Sequence, residues 1–237
     1  METLQIAMGR SKRRVTDFYR LRSTTTEQGR KAKSLEDGSS VVIKSIEKRS
    51  LDFEDFKQIR EQIEILYLCR SQPNITRLIE HFEDRKTFHL VFKPDSGITL
   101  KRYFFEEKKN IKPTALRAIC KQLCSALDFL KKHNILHRNI NPCSVFLTGK
   151  ELEVRNNIGT EVKVPQIQLG DFSQATFLKQ NEEANKVCGL ATFVAPEVIQ
   201  FHRYGYPVDM YSLGVTIYFV MTGKVPYSAS RASLLYK

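Results

Sequence analysis

The sequence contains no tryptophan, few cysteines and no apolar segment long enough to cross a membrane. Its longest apolar run, Leu213 to Met221, is interrupted by Gly214 and Thr216 and is far shorter than the ~20 residues that a membrane-spanning helix needs. A secretory signal is also missing, because the short mixed stretch after Met1 leads directly into a basic cluster. These absences argue against a membrane-spanning or secreted protein.

Cysteine usage points the same way. The five cysteines are odd in number and include no C-x-x-C pair; only Cys120 and Cys124 are spaced to share a helix face, one turn apart. A disulfide framework or a zinc site is therefore not expected, and we expect free thiols packed as small apolar groups. The predicted location is a reducing compartment inside the cell, either cytoplasm or nucleus.

Acidic residues are scarce relative to basic ones, since 26 Asp and Glu face 38 Lys and Arg and leave a formal charge of +12. Residues 1–34 hold nine basic and three acidic side chains, which is half of that excess. The cluster Arg10 to Arg14 suits nucleic acid or an anionic membrane, although only Phe18 and Tyr19 interleave aromatic rings with the charges. The alternative is a solvated N-terminus, and the sequence leaves both open.

Phenylalanine (15), tyrosine (9) and an apolar share of 41% are enough for a core, and 237 residues suit one or two domains. Val41 to Lys44, Ile75 to Phe82 and Thr87 to Phe92 read as strands, whereas residues 15–33 show no clear period. Apolar residues at helical spacing predict one helix through Phe53–Leu66, a second that begins near Pro113, and a buried third helix over Met210–Thr222. Strands come first and helices follow, which predicts an α+β protein with two unequal lobes.

Several short motifs follow one another in a specific order. Lys44 lies on an early strand, and His137-Arg138-Asn139-Ile140-Asn141-Pro142 follows the second helix. Asp171-Phe172-Ser173 comes at the end of a strand, and Ala195-Pro196-Glu197 comes later still. In this order they resemble the strand lysine, catalytic loop, metal-binding triplet and A-P-E turn of the eukaryotic protein-kinase family. Asp209 and the apolar helix after it are similar to the anchor of that family's larger lobe.

The resemblance implies a bilobal kinase-like fold, with a small β-rich N-lobe and a larger helical C-lobe. We predict a basic tail at residues 1–14, an N-lobe at 15–93 and a partial C-lobe at 94–237. The pattern stops after the central buried helix of the C-lobe, so we expect open apolar surface there. Either the chain is a fragment or truncated product, or a protein partner covers this surface.

On the nucleotide side, the resemblance assigns Lys44 to the phosphates and Gln62 to the position of its usual glutamate partner, with Glu61 and Glu64 nearby. The glycine-rich phosphate cover is absent, and Thr24 to Thr26 occupy the expected turn. Larger residues fill the adenine pocket, because Val42 replaces a common alanine and Phe146 a smaller aliphatic residue. The implied mouth of the pocket is formed by Phe92, Lys93 and Asp95.

Around the transferred phosphate the resemblance assigns degenerate residues. Asn139 stands at the proton-acceptor position, Asn141 replaces a lysine, and Ser144 replaces the asparagine that holds a second Mg²⁺. Asp171 keeps one metal-binding carboxylate. Arg138 has no hydroxyl near Lys186 whose phosphate it could bind, although Glu182 or Glu183 could pair with it instead. An amide orients a hydroxyl but cannot accept its proton.

These substitutions predict a pseudokinase that acts as a scaffold or allosteric regulator, with weak or absent use of ATP and Mg²⁺. One alternative is an active protein serine/threonine kinase that relies on Lys44 and Asp171. A second alternative is a basic adaptor that binds nucleic acid or an acidic membrane through the N-terminal tail.

Overall fold

The computed structural model describes residues 14–94, 96–105, 112–155, 159–179 and 182–227. Residues 1–13 of the predicted tail and the predicted pocket residue Asp95 lie outside these ranges. A five-stranded antiparallel sheet has the order β1-β2-β3-β5-β4. Its strands are β1 (Tyr19–Thr25), β2 (Arg30–Ser34), β3 (Ser40–Glu47), β4 (Leu78–Glu83) and β5 (Thr87–Phe92).

Helix α1 (Phe53–Leu68) lies against this sheet. Its first turn is closed by a capping box, in which Asp52 and Asp55 each accept a hydrogen bond from the other's backbone N–H at 2.8 and 3.2 Å. The rings of Phe56 and Phe88 pack edge to face with centroids 5.6 Å apart. The apolar residues whose spacing predicts this helix thus form the face that packs against the sheet.

The second lobe contains α2 (Leu100–Phe105), α3 (Pro113–Lys132), α4 (Pro196–Ile199) and α5 (Pro207–Thr222). It also contains the small pair β6 (Ile135–Leu136) with β9 (Thr176–Phe177) and the long hairpin β7 (Val145–Arg155) with β8 (Glu161–Leu169). Short 3-10 turns lie at Val15–Asp17, Lys48–Ser50, Cys69–Ser71 and Phe172–Gln174. The predicted α+β arrangement in two lobes is confirmed.

One buried cluster joins the lobes, because residues of α1, β4 and β5 pack together with residues of α3, β7 and β8. A smaller cluster covers the outer face of the sheet under the segment that begins at Val15. The cleft between sheet and helices is therefore held by a shared core.

Three details differ from the sequence-based expectations. Residues 15–33 contain β1 and the start of β2. Each strand has one buried residue, Tyr19 in β1 and Ala32 in β2, so the alternation that identifies a strand is too short to be clear in the sequence. β4 begins at Leu78, because Ile75 pairs with Leu169 of β8 instead. The polar stretch after Leu147, which has no clear period in the sequence, belongs to the β7–β8 hairpin, whose register shifts between Leu147 and Glu151.

Helix α5 is buried on one side and exposed on the other. Met210, Tyr218 and Met221 on its outer face are 52%, 44% and 63% exposed, which matches the expected apolar surface. None of the helices in the described ranges combines the length and hydropathy needed to cross a bilayer.

Candidate active site

The cleft between the two lobes contains a cavity of about 110 Å³. This is well below the ~300–1,000 Å³ typical of pockets that bind small molecules. Its walls come from the sheet, α1, the segment before β4, β7 and the segment after β8. They are formed by Gln28, Lys44, Gln62, Leu66, Thr76, Phe92, Phe146, Asp171 and Phe172.

Lys44 and Asp171 meet at the edge of this cavity. Lys44 Nζ lies 3.5 Å from Asp171 Oδ1, and both side chains are about one-third exposed, at 37% and 34%. Asp171 has a left-handed backbone (φ +54°), which an aspartate tolerates better than most residues. Asn139 Nδ2 donates to Asp171 Oδ2 at 2.8 Å, so nitrogen donors approach both carboxylate oxygens.

Asn139 is itself oriented by Asn141. Asn141 Nδ2 donates to Asn139 Oδ1 at 3.2 Å and to the Asn139 carbonyl at 3.0 Å. The amide oxygen of Asn139 is thereby turned towards Asn141 and its N–H towards Asp171. Asn141 is only 4% exposed, and its own Oδ1 accepts the backbone N–H of Cys143 at 2.9 Å.

Ser144, which the sequence places at a second metal position, faces its own backbone. Its hydroxyl donates to the Asn141 carbonyl at 2.9 Å and accepts the Asn141 N–H at 3.0 Å. The side chain is 1% exposed. No group of three or more His, Cys, Asp or Glu side chains arranged to hold a metal is found among the described residues.

Arg138 is buried and points away from the cavity. Its Nε donates to the carbonyl of Gln174 at 2.7 Å, and a terminal nitrogen approaches Gln58 Oε1 of α1 at 3.4 Å. The suggested pairing with Glu182 or Glu183 is wrong, since Glu182 instead lies 3.6 Å from Lys179. Arg138 therefore ties α1 to the segment after Asp171.

The register of α1 decides which side chain faces Lys44. Gln62 is 3% exposed and lines the cavity with Lys44, as the resemblance predicts. Glu61 points elsewhere: its Oε1 accepts the Thr176 hydroxyl at 2.8 Å and the Phe177 N–H at 2.7 Å. Gln58 Nε2 adds a bond to the Ala175 carbonyl at 2.7 Å, so uncharged donors hold α1 in place.

Phe146 fills the inner end of the cavity. It is 4% exposed, and a Cβ added at Gly170 would lie 2.8 Å from its ring, so the ring rests on the glycine backbone. Phe92 is 5% exposed and lies opposite Val42 in the β3–β5 register. Of the residues predicted around the adenine, Phe92 and Phe146 line the cavity, whereas Val42 is not among its lining residues.

Gln28 is a cavity residue that the sequence analysis missed. The chain turns at Thr26–Gly29, where the two backbones exchange hydrogen bonds of 2.7 and 3.2 Å, and Thr24 and Thr25 belong to β1. A Cβ on Gly29 would lie 2.7 Å from the Ile43 carbonyl, so only glycine permits this close approach. The turn buries Gln28 to 9% exposure and leaves its Oε1 without a hydrogen-bond partner.

Lys93 corrects another expectation. It was predicted at the mouth of the adenine pocket, but its side chain lines a different groove, and its N–H donates to the Arg77 carbonyl at 2.9 Å. Successive residues of an extended chain point to opposite sides, so Phe92 faces the cavity and Lys93 does not.

Beneath the cavity lies a buried anchor made of His137, Gly170, Phe172 and Asp209. Asp209 accepts the N–H groups of His137 and Arg138, each at 2.8 Å, and His137 Nε2 lies 2.9 Å from the Gly170 carbonyl. The His137 and Phe172 rings are 4.6 Å apart. Burial lowers the pKa of His137 and raises the pKa of Asp209, opposed at Asp209 by His137 and by the two N–H donors.

Comparison with known proteins agrees with this geometry. The family model described as "protein kinase domain" matches residues 25–237. The MAP kinase-interacting serine/threonine-protein kinase 1 of Xenopus tropicalis is 28% identical over 229 residues, which covers 89% of this chain and 52% of that kinase. A probable myosin light chain kinase of Dictyostelium discoideum is 27% identical, over 97% of this chain and 57% of its own length.

Sperm motility kinase 3A of Mus musculus is 29% identical over 84% of this chain and 36% of its own length. The chain thus spans about half the length of the first of these relatives. The family match covers most of the chain. The strand lysine Lys44 meets Asp171 at the cavity, and the buried His137–Asp209 anchor packs directly beneath it. The chain therefore belongs to the protein kinase domain family.

Proposed function

We propose that this protein kinase domain is a pseudokinase, which acts by binding other proteins as a scaffold or allosteric regulator. The observation that carries the proposal is the hydrogen bond from Asn139 Nδ2 to Asp171 Oδ2 at 2.8 Å. It turns the residue at the proton-acceptor position into a donor. General-base assistance is typically worth ~10²–10⁴-fold in rate, and an amide cannot supply it.

The donor set of the cleft also argues against tight binding of a metal–nucleotide complex. Protein kinase domains in general use ATP and Mg²⁺. Here Lys44 and Asn139 approach the two oxygens of Asp171, and the Ser144 hydroxyl is bonded to its own loop. The residues present therefore do not fit Mg²⁺ with a nucleotide, and we propose that use of both is weak or absent.

The cavity itself supports this view. Gln28 enters from the β1–β2 turn, and Phe146 fills the inner end, leaving about 110 Å³. A nucleotide would have to displace Gln28 and find room against Phe146. Displacing well-packed side chains costs on the order of 1–3 kcal/mol.

A second candidate, an active serine/threonine kinase, is favoured by one observation. Lys44 and Asp171 still approach each other, and α1 is held close to the segment after Asp171. On this view Asn139 would only orient an acceptor hydroxyl, and the names of the relatives suggest serine and threonine hydroxyls as acceptors.

Transfer of radiolabelled phosphate from ATP to a generic protein substrate separates the two candidates. We expect no turnover above background for the parent chain and for Lys44→Met. Asn139→Asp restores a proton acceptor and tests whether the amide alone limits the rate. Robust turnover by the parent that is abolished in Lys44→Met would overturn the proposal.

Two further partners are proposed, a protein at helix α5 and nucleic acid at the basic N-terminus. We propose that the exposed side of α5 is covered by a protein partner, in line with the exposure of Met210, Tyr218 and Met221. Binding of nucleic acid by the basic N-terminus, residues 1–14, is tested separately: salt-dependent affinity for duplex DNA that is lost on deletion of these residues would support it.

A further inference from the structure

A second groove, of about 270 Å³, lies on the other side of the strands that form the cleft. Ile75 and Arg77 line it, whereas Thr76 between them lines the cavity of the cleft. Similarly, Phe92 lines the cavity and its neighbour Lys93 lines the groove. Successive side chains of an extended segment point to opposite sides, so residues 75–77 and 92–93 each contribute to both the cavity and the groove.

The lining of this groove is strongly one-sided in charge. It contains four cations and no carboxylate: Arg70, Arg77, Lys93 and Lys150. No ion pair is recorded for any of these four within the described ranges, although other lysines and arginines there do form them. The rest of the lining includes Thr148, whose hydroxyl donates to Gln166, and the side-chain amides of Gln72 and Gln168, which each donate one N–H to a backbone carbonyl and have a second N–H.

The walls of the groove are fixed by hydrogen bonds between segments. The Thr76 N–H donates to the Leu169 carbonyl at 2.9 Å, and Gln168 Nε2 donates to the Pro73 carbonyl at 3.1 Å. Arg70 is positioned by its bond to the Tyr67 carbonyl at 3.2 Å and lies over the Tyr67 ring at 5.0 Å. The backbone under the groove is therefore held in place, and the side chains of Arg77, Lys93 and Lys150 are exposed above it.

We propose that this groove binds an acidic segment of a partner protein through its carboxylates. Guanidinium, ammonium and amide donors without a competing carboxylate match oxyanions, and arginine can bind a carboxylate with two parallel hydrogen bonds. The lining has no aromatic ring on which a nucleic-acid base could stack, which favours a peptide over RNA. The assignment does not depend on whether the cleft transfers phosphate.

Fluorescence anisotropy of a short fluorescein-labelled peptide of alternating Glu and Ser tests the assignment at low ionic strength. Its neutral counterpart, of alternating Gln and Ser, and a labelled oligo-uridine serve as comparison probes. The groove variant is Arg77→Gln with Lys150→Gln, both exposed side chains. The matched control is Arg20→Gln with Lys33→Gln on the β1–β2 strands, which changes the net charge by the same amount.

We expect the acidic peptide to bind the parent and the control within about twofold of each other, and the groove variant about five- to tenfold more weakly. The neutral peptide should not bind. Equal losses in both variants would show a response to net charge alone and overturn the proposal. So would equal binding of the neutral peptide, or binding of oligo-uridine without binding of the acidic peptide. None of these readouts measures phosphate transfer, so the two proposals fail separately.

Discussion

The loop at residues 137–144 has a buried side and a cleft side, and the two are built from different chemistry. On the buried side a carboxylate, Asp209, accepts two backbone N–H groups, and His137 bonds to the Gly170 carbonyl. On the cleft side the neutral amide of Asn141 donates to Asn139, and the amide of Asn139 donates to the partly exposed carboxylate of Asp171.

The difference shows that position and chemistry are separable in this fold. The buried side keeps the groups that hold the loop against α5, where an unpaired charge or N–H is costly. The cleft side has water nearby, so Asn139 can replace an acid at little cost in stability. Under the proposed function, this kinase domain has lost its transfer chemistry and kept its shape.

We expect the largest effect on stability from removing the Asp209 carboxylate, which tests the buried side of the loop against its cleft side. Asp209→Ala leaves the N–H groups of His137 and Arg138 buried without an acceptor, and we expect a loss of about 3–5 kcal/mol in the free energy of unfolding. Denaturant unfolding followed by circular dichroism measures it. Asp171→Asn is the control, since asparagine also tolerates the left-handed backbone, and it should cost less than about 1 kcal/mol because Lys44 and Asn139 can turn to water. Equal losses would show that the two sides are not distinct.

Gly170 lies between the two sides of the loop, and its substitution should cause the second-largest loss of stability. In Gly170→Ala the added Cβ would lie 2.8 Å from the Phe146 ring and 2.9 Å from Thr76 Cγ2. We expect a loss of about 1–3 kcal/mol by the same measurement, partly recovered when Phe146→Leu is added. Gly214→Ala on the exposed side of α5 is the control: it has open space and should gain about 0.5–1 kcal/mol. A Gly170→Ala chain as stable as the parent would contradict the tight packing.

The buried side should also respond to pH. Burial lowers the pKa of His137 in the folded state, so the unfolded chain binds its proton more readily. The free energy of unfolding should then fall as pH drops below ~6.5, by at most about 1 kcal/mol down to pH 5.5. His137→Gln can still donate to the Gly170 carbonyl and should show a flatter profile. Asp209 is common to both proteins, so identical slopes would mean that His137 does not contribute.

The smallest effect on stability is expected at Gln28, on the cleft side. Gln28→Ala removes packing but also an unpaired buried acceptor, so the free energy of unfolding should change by less than about 0.5 kcal/mol. The variant opens the cavity, and we expect ATP to raise its melting temperature by about 1–3 °C where the parent does not respond. Phe146→Leu should act in the same direction. Glu27→Ala, on the same turn, is the control; a response there as large as in Gln28→Ala would contradict the role of Gln28.

Much of the fold could be predicted from the sequence. Lys44, His137, Asp171 and Asp209 are spaced as in kinases, and helical periodicity identified α1 and α3. The β1–β2 strands were missed because their alternation is short: Tyr19 and Ala32 are the buried residues of the two strands, and the Ser and Thr residues that end β1 are all exposed. Side-chain direction was the harder part. Gln28 enters the cleft because Gly29 packs on Ile43, and Lys93 turns away because the connection is extended, and neither follows from residue type.

Helix α1 is fixed by Glu61 and Gln58, which bond to Thr176, Phe177 and Ala175. These contacts are made by residues of the chain itself. Under the proposed function as a scaffold, we expect the strength of its signal to follow from how much of it a cell makes and how quickly it is degraded, as with a structural subunit, rather than from a switch within the domain.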